Sequence, residues 1–282
     1  MRLPYTSLDV FTDVPLAGNP LAVVHDADRL DDEVMLRFAR ETRFSETCFV
    51  QTASAAGANY RNRIWTVARE VPFAGHPSLG VAVAVALARG EKHTTYVQQT
   101  GAGLQPVEVQ LDGSRGRASV LQEPAVFGAE VDPDAVMAAV GLDSADADRS
   151  RPPQFATTGL DTLLVPVGSP DAVGRAVPDF DRIEALSDLD DFNLYLVWLD
   201  RPAERAAARM FARQIPGSED PATGSAAGPL CAYLSEREDW TRIDIAQGVE
   251  IGRPSRLVAE LEGDRVRVGG DVVVVIEGTV AL

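Results

Sequence analysis

The chain has 282 residues, 45% of them hydrophobic, which is enough for two ordinary domains or one large one. Its 42 acidic against 26 basic residues give a net charge of −16, which argues against nucleic acid and anionic membranes as partners. No run of about 18 apolar residues suggests a membrane span, and two cysteines, Cys48 and Cys231, make neither a disulfide framework nor a metal cluster.

The opening Met1-Arg2-Leu3-Pro4-Tyr5 has no apolar signal region and reads directly into a strand, so a soluble, cytoplasmic protein is expected. Residues 3–12 and 21–25 read as strands, with Gly18-Asn19-Pro20 as the turn between them. A helix is predicted over Asp31–Thr42. Asp31 is its N-cap, Asp32 and Glu33 suit the positive end of the dipole, and Met35, Phe38, Ala39 and Thr42 share one face. Strands follow at Thr47–Gln51 and Tyr60–Val67. Pro72-Phe73-Ala74-Gly75-His76-Pro77 then opens a helix through Ser78–Ala88, with Pro77 at the first helical position and Gly90 as the stop. Beyond its first turn this helix has no polar face, which predicts burial on all sides. Thr95–Gln99 and Val107–Leu111 are strands flanking Gly101-Ala102-Gly103, and Arg117–Gln122 is a strand leaving the first half.

The second half begins with a helix at Pro133–Val140, stopped by Gly141, and a charged, irregular segment at Asp143–Pro153. Strands are predicted at Thr162–Val167, Leu194–Leu199 and Ala208–Phe211. Ser218-Glu219-Asp220-Pro221-Ala222-Thr223-Gly224-Ser225 leads into a second small, apolar helix ending near Leu234. The remainder is β-rich, with the alternating run Arg265–Val268 and the buried-looking run Val272–Ile276.

Four features recur at one offset: Asp31 with Asp179, Phe44 with Phe192, Ala74 with Ala222, and Gly80 with Gly228 (179 − 31 = 148). The repeat implies an α+β fold of two similar, pseudo-twofold-related domains, each a curled β-sheet or barrel around a central apolar helix. The domains are expected at 1–118, with about 272–282 as a candidate completing strand, and at 119–271. Their chemistry is expected in the cleft between them.

Both central helices start at loops rich in Gly, Pro and small polar residues. A helix N-terminus offers unpaired N–H groups and partial positive charge, which favours a carboxylate or an enolate-like charge. Gly75 and Gly224 let backbone donors come close. Glu46 enters an apolar strand in Phe44-Ser45-Glu46-Thr47-Cys48-Phe49-Val50. A carboxylate there is costly unless paired or protonated, which suits a general acid/base near neutral pH. The bland reading is an exposed strand end. His76 is either a helix-start cap or a catalytic group. Asp220 is either a capping acid or a partner that orients a catalytic group. Ser225 either donates its hydroxyl to a carboxylate or simply begins the helix. No His-Glu-x-x-His or paired Cys-x-x-Cys is present, so no metal is expected. No Gly-x-Gly-x-x-Gly follows a strand and opens a helix, so no nucleotide cofactor is expected. Lys92 is the only lysine, so 25 of the 26 basic residues are arginine (26 − 1 = 25). With the acidic load, this fits a protein kept soluble in concentrated salt, or a GC-rich genome.

Gly18-Asn19-Pro20, Ser45-Glu46-Thr47, Pro72-Phe73-Ala74-Gly75-His76-Pro77 and Glu219-Asp220-Pro221-Ala222-Thr223-Gly224-Ser225-Ala226 occur in this order over nearly the whole chain. With Gly101-Ala102-Gly103 and Glu277-Gly278 they resemble the phenazine-biosynthesis isomerase (PhzF-type) family. The resemblance implies the diaminopimelate epimerase-like fold, cofactor-independent isomerisation of a small carboxylate, and a homodimer. It makes Glu46 the group that moves a proton between carbons, with His76 and Asp220 assisting. Asn19, Ser45, Gly75, Gly224 and Ser225 match substrate-binding positions. Epimerases of this fold use two cysteines, one at each helix start. The matching positions here are Ala74 and Pro221, so a two-thiol mechanism is not available, and Cys48 and Cys231 read as packing residues. Two alternatives stay open: an amino- or hydroxy-acid epimerase or racemase, and a non-catalytic ligand-binding member of the fold.

Overall fold

The computed structural model describes residues 1–189 and 192–282. The chain divides into two compact units, Met1–Leu121 with Gly269–Leu282, and Gln122–Val268. These divisions fall three residues after the expected 118 (121 − 118 = 3) and three before the expected 271 (271 − 268 = 3).

The first unit runs β1 (Arg2–Val10), β2 (Asn19–Val24), α1 (Asp32–Thr42), β3 (Thr47–Gln51), β4 (Tyr60–Trp65), β5 (Glu70–Val71), α2 (Gly75–Arg89), β6 (His93–Thr100), β7 (Gly103–Asp112) and β8 (Arg115–Leu121). The second runs β9 (Val126–Glu130), α3 (Pro133–Ala139), β10 (Gln154–Thr157), β11 (Thr162–Val167), α4 (Pro170–Arg175), α5 (Phe180–Glu184), β12 (Asn193–Asp200), β13 (Arg205–Phe211), β14 (Glu219–Asp220), α6 (Gly224–Glu238), β15 (Arg242–Gln247) and β16 (Ser255–Glu262). The last strand, β17 (Arg265–Ala281), belongs to the first unit from Gly269 onward.

In the first unit the strands close on themselves. β1 pairs antiparallel with β2, β2 parallel with β3, β3 antiparallel with β4, and β4 parallel with β6. The antiparallel pairs β6–β7 and β7–β8 follow, β8 pairs with β17, and β17 returns antiparallel to β1. That makes a closed barrel of eight strands, a topology that leaves no edge to aggregate. Helix α2 lies inside it, in contact with β1, β2, β3, β4, β6, β7 and β8. Every residue from Gly75 to Ala86 is buried, as its unbroken Ala, Val, Leu and Gly run requires. Gly90 (φ 68) ends the helix, its N–H reaching the carbonyls of Ala86 and Leu87. Outside the barrel, α1 is capped by Asp31, whose side chain accepts from the Val34 N–H at 2.9 Å. Its buried Met35 and Ala39 pack with Leu3, Phe49 and Trp65.

The second unit uses the same pairing logic. β10–β11 is antiparallel, β11–β12 parallel, β12–β13 antiparallel and β13–β15 parallel. A helical crossover joins the first parallel pair (α1, or α4 and α5), and a fifteen-residue central helix (α2 or α6) sits in the second. Helix α6 contacts β10, β11, β15 and β16 and is buried from Gly224 to Cys231. A separate apolar cluster of Val136, Met137, Phe155, Leu163, Ile183 and Phe211 holds α3, α4 and α5 to the sheet.

The repeat is real, but its register is not constant. Asp31 and Asp179 are both helix N-caps, at the expected 148. The central helices begin at Gly75 and Gly224, an offset of 149 (224 − 75 = 149), and β3 and β12 at 146 (193 − 47 = 146). Ala74 therefore corresponds to Thr223, the other N-cap, and not to Ala222 or Pro221. Loop lengths differ between the units while the elements keep their order. Pro77 is the third helical residue, not the first. It is tolerated there because the N–H groups of the first turn have no intrahelical acceptor. Among the described residues no helix is long and apolar enough to cross a membrane.

Candidate active site

Glu46 lies between the end of α1 and the start of β3. Arg43, in the left-handed region at φ 56, ends α1. The Thr42 hydroxyl donates to the Ala39 carbonyl at 3.1 Å and lies 2.8 Å from the Thr47 hydroxyl. These contacts tie the helix end to the strand start and fix the half-buried Ser45-Glu46 connection between them.

His76 is the second residue of α2. Its Nε2 is 3.6 Å from Glu46 Oε2, with side-chain exposures of 6% and 19%. Burial pushes the His76 imidazole down to about 3, so the ring is neutral at physiological pH. Desolvation of an almost fully enclosed ring is the cause of the shift. A neutral imidazole beside a carboxylate can share or pass one proton without carrying a fixed charge. The N-cap of α2, Ala74, has no side-chain oxygen, so the N-cap residue offers the first-turn N–H groups of this buried helix start no side-chain acceptor.

Asn19 begins β2, opposite Val10 of β1, and is fully buried. Because β2 and β3 are parallel, Asn19 and Glu46 lie at the same end of these strands. Gly18 permits the turn into Asn19 at φ 66; a Cβ there would lie 2.5 Å from the Val10 carbonyl oxygen and from Thr12 Cγ2. The Ala102 N–H donates to the Pro72 carbonyl at 3.1 Å, which ties the Gly101-Ala102-Gly103 turn to the loop before α2.

In the second unit Asp220 sits on the two-residue strand β14, paired with Met210 of β13. Its neighbour Glu219 is held by Arg209 through two hydrogen bonds of 2.9 and 2.7 Å. Arg209 also donates to the carbonyls of Val173 and Ala176, at 3.2 and 2.8 Å. Asp220 itself accepts from the Thr223 hydroxyl at 2.6 Å. Thr223 is the N-cap of α6, and Gly224 and Ser225 are the first two helical residues, both buried. Pro229, inside this helix, lacks the N–H that would bond to the Ser225 carbonyl. As in α2, the N-cap side chain makes no cap bond to its own helix.

The predicted residues thus gather as two sets. Asn19, Ser45, Glu46, Gly75 and His76 belong to the first unit, and Asp220, Gly224 and Ser225 to the second. Sequence reasoning missed three supporting residues: Thr223, Gln247 and Gln122. Gln247 ends β15, whose buried positions are Ile243, Ile245 and Gln247. A glutamine on the apolar side of an alternating strand was the available signal. The amide of Gln122 donates to the Gly224 carbonyl at 2.9 Å and accepts from the Thr158 hydroxyl at 2.8 Å. It fills the space left by Gly228, where a Cβ would come within 1.9 Å of Gln122 Oε1.

Both cysteines are buried, and burial pushes their thiols up, Cys231 to about 12. Among the described residues no group of three or more His, Cys, Asp or Glu could hold a metal ion.

Comparison with known proteins gives the family. The sequence matches the phenazine biosynthesis-like protein family over residues 8–278. The chain belongs to the PhzC-PhzF family. It is 36% identical to a trans-2,3-dihydro-3-hydroxyanthranilate isomerase of Pseudomonas fluorescens over 99% of each chain. A solved structure of a predicted epimerase from Pseudomonas aeruginosa matches with a TM-score of 0.87 at 36% identity, covering 99% of both chains. A PhzF-family protein of Bacillus anthracis matches with a TM-score of 0.88 at 26% identity over the whole of both. A hydroxyproline epimerase of Agrobacterium vitis, at 14% identity, covers 100% of this chain and 91% of its own with a TM-score of 0.67, and shares the fold. This PhzF-like protein is therefore an isomerase of the diaminopimelate epimerase-like α+β class.

Proposed function

We propose that the enzyme is a cofactor-independent isomerase that moves a proton between carbons of a small carboxylate, with Glu46 as the general acid/base. The observation that carries this reading is the 3.6 Å approach of the neutral, buried His76 to Glu46 at the start of an enclosed helix. Glu46 removes a proton from an activated carbon and leaves a delocalised anion. The uncapped first turn of α2 provides main-chain N–H donors and positive potential for that developing charge. Glu46 then returns the proton at another carbon. His76, as a neutral ring 3.6 Å from Glu46, is placed to take or return the proton as Glu46 moves toward it, instead of supplying charge. Asp220 orients the substrate or relays the proton, and Gly224 and Ser225 bind its carboxylate at the start of α6. Asn19 and Ser45 complete the substrate contacts.

Inversion at a single carbon is the competing reaction. The two corresponding N-caps, Ala74 and Thr223, bear no thiol, which favours one mobile proton carried by Glu46 over a pair of cysteine acid/bases. The compound named for the Pseudomonas relatives, trans-2,3-dihydro-3-hydroxyanthranilate, is the first substrate to test. Glu46→Gln keeps the shape of the side chain and removes the base. It should lower kcat by at least about a hundredfold with substrate binding retained. Wild-type turnover in Glu46→Gln would remove the assignment.

A further inference from the structure

Beside Asp220 lies a glutamine that spends four hydrogen bonds in a fully buried position. Gln247 Oε1 accepts from the Thr223 N–H and from the Tyr195 hydroxyl, each at 3.1 Å. Its Nε2 donates to the Asp220 carbonyl at 2.8 Å and to Thr223 Oγ1 at 2.9 Å. Two of these partners are main-chain groups with a single possible role each. An N–H can only donate and a carbonyl can only accept, so the amide has one orientation. Turned over, it would set donor against donor and acceptor against acceptor.

That orientation decides the next group as well. With an Nε2 proton directed at Thr223 Oγ1, the Thr223 hydroxyl must give its own proton elsewhere. Asp220 Oδ2 receives it at 2.6 Å, in the short range of a hydroxyl bonded to a carboxylate. Thr223 is 4% exposed and Gln247 is fully buried, so water does not compete for these bonds. The backbone of the Asp220–Thr223 turn thus sets the Gln247 amide, the amide sets the Thr223 hydroxyl, and the hydroxyl sets the Asp220 carboxylate.

We propose that Gln247, acting through Thr223, is a positioning residue that locks the orientation of the Asp220 carboxylate for the isomerisation step. The inference rests on Asp220 taking part in the reaction proposed above. Its physical content is pre-organisation: a carboxylate already turned and hydrogen-bonded costs no reorientation when the proton moves. Neither Thr223 nor Gln247 need touch the substrate for this.

Thr223→Val is nearly isosteric and removes only the hydroxyl, whereas Thr223→Ser restores it. Gln247→Glu removes both donors while keeping the side-chain length. Turnover of trans-2,3-dihydro-3-hydroxyanthranilate should fall about tenfold in kcat for Thr223→Val and Gln247→Glu, with KM within about twofold. Thr223→Ser should stay within about twofold of wild type. A readout that needs no substrate accompanies this. In aspartate-13C-labelled protein the Asp220 carboxyl line, assigned by its loss in Asp220→Asn, should move in Thr223→Val and return in Thr223→Ser. An unmoved line in a folded Thr223→Val protein overturns the proposal, as does equal loss of kcat in the Val and Ser variants. If neither wild type nor variants turn over this compound, the substrate assignment fails, while the carboxyl line still decides whether Thr223 holds Asp220.

Discussion

His76→Gln tests whether the imidazole beside Glu46 is neutral. Burial lowers His76 from the ordinary imidazole value of 6.5 to about 3. Above pH 6.5 both folded and unfolded chains hold this ring neutral, and it makes no pH-dependent contribution. Below 6.5 the unfolded chain binds a proton that the folded chain refuses until the pH approaches 3. The fold therefore loses stability as the pH falls through this window. Between pH 7 and pH 5 the ring's share of the loss is about 2 kcal/mol, from roughly 1.5 pH units at about 1.4 kcal/mol each. His76→Gln keeps a polar side chain and removes the titration. Urea unfolding of both proteins at pH 7 and pH 5 should show the variant losing about 2 kcal/mol less than wild type over that interval. Equal losses would refute the reasoning, as would a His76 13Cε1 titration centred near the ordinary value. Either result would make His76 an ordinary imidazole that takes up a proton beside Glu46 as the pH falls through 6.5, and would change its proposed part in the proton transfer.

Four further outcomes are expected. Gly228→Ala drives its new Cβ against Gln122 Oε1 and breaks the bonds to Gly224 and Thr158, at a cost of about 2 kcal/mol. Gly174→Ala, in helix α4 with nothing within 4 Å, is neutral or stabilising by a few tenths to about 1 kcal/mol, and serves as the control in the same urea series. Arg209→Ala leaves the largely enclosed Glu219 carboxylate without its guanidinium partner and strips the donors from the Val173 and Ala176 carbonyls. It should lower stability by about 3 kcal/mol in equilibrium unfolding. Cys48→Ala should leave kcat within a few-fold of wild type, because a fully buried thiol with a raised pKa is no nucleophile or base; a large loss of kcat would bring the thiol into the mechanism.

Much of the framework was legible because it is locally encoded. The Asp31 cap and its periodic face determine α1, and an uninterrupted run of small apolar residues determines the enclosed α2. The short helix α4 and the strands β9, β10, β15 and β16 were not individually assigned. Ser169 before Pro170 is a helix-start signal, yet a six-residue helix leaves too little periodicity to read. The repeat was visible, but one offset could not hold across loops of different length, and so the Ala74–Thr223 correspondence waited for the structure. Glu46 stood out as a charge entering an apolar strand. Its approach to His76, thirty residues later (76 − 46 = 30), depends on how β3 and α2 share the barrel, and no spacing rule reports that. Gln247 and Thr223 are ordinary residues in sequence. Only the parallel pairing of β13 with β15, together with the β14 turn, makes them a hydrogen-bonded support for Asp220.

The most direct test of proton transfer at Glu46 is deuterium exchange followed by NMR. The wild-type protein and Glu46→Gln are each incubated in D₂O, in low and high salt, with trans-2,3-dihydro-3-hydroxyanthranilate and a panel of small amino, hydroxy and cyclic unsaturated carboxylates. Deuterium entering a carbon-bound position of one of these compounds with wild type, and not with Glu46→Gln, is the expected result. Equal incorporation by both proteins contradicts Glu46 as the group that carries the proton.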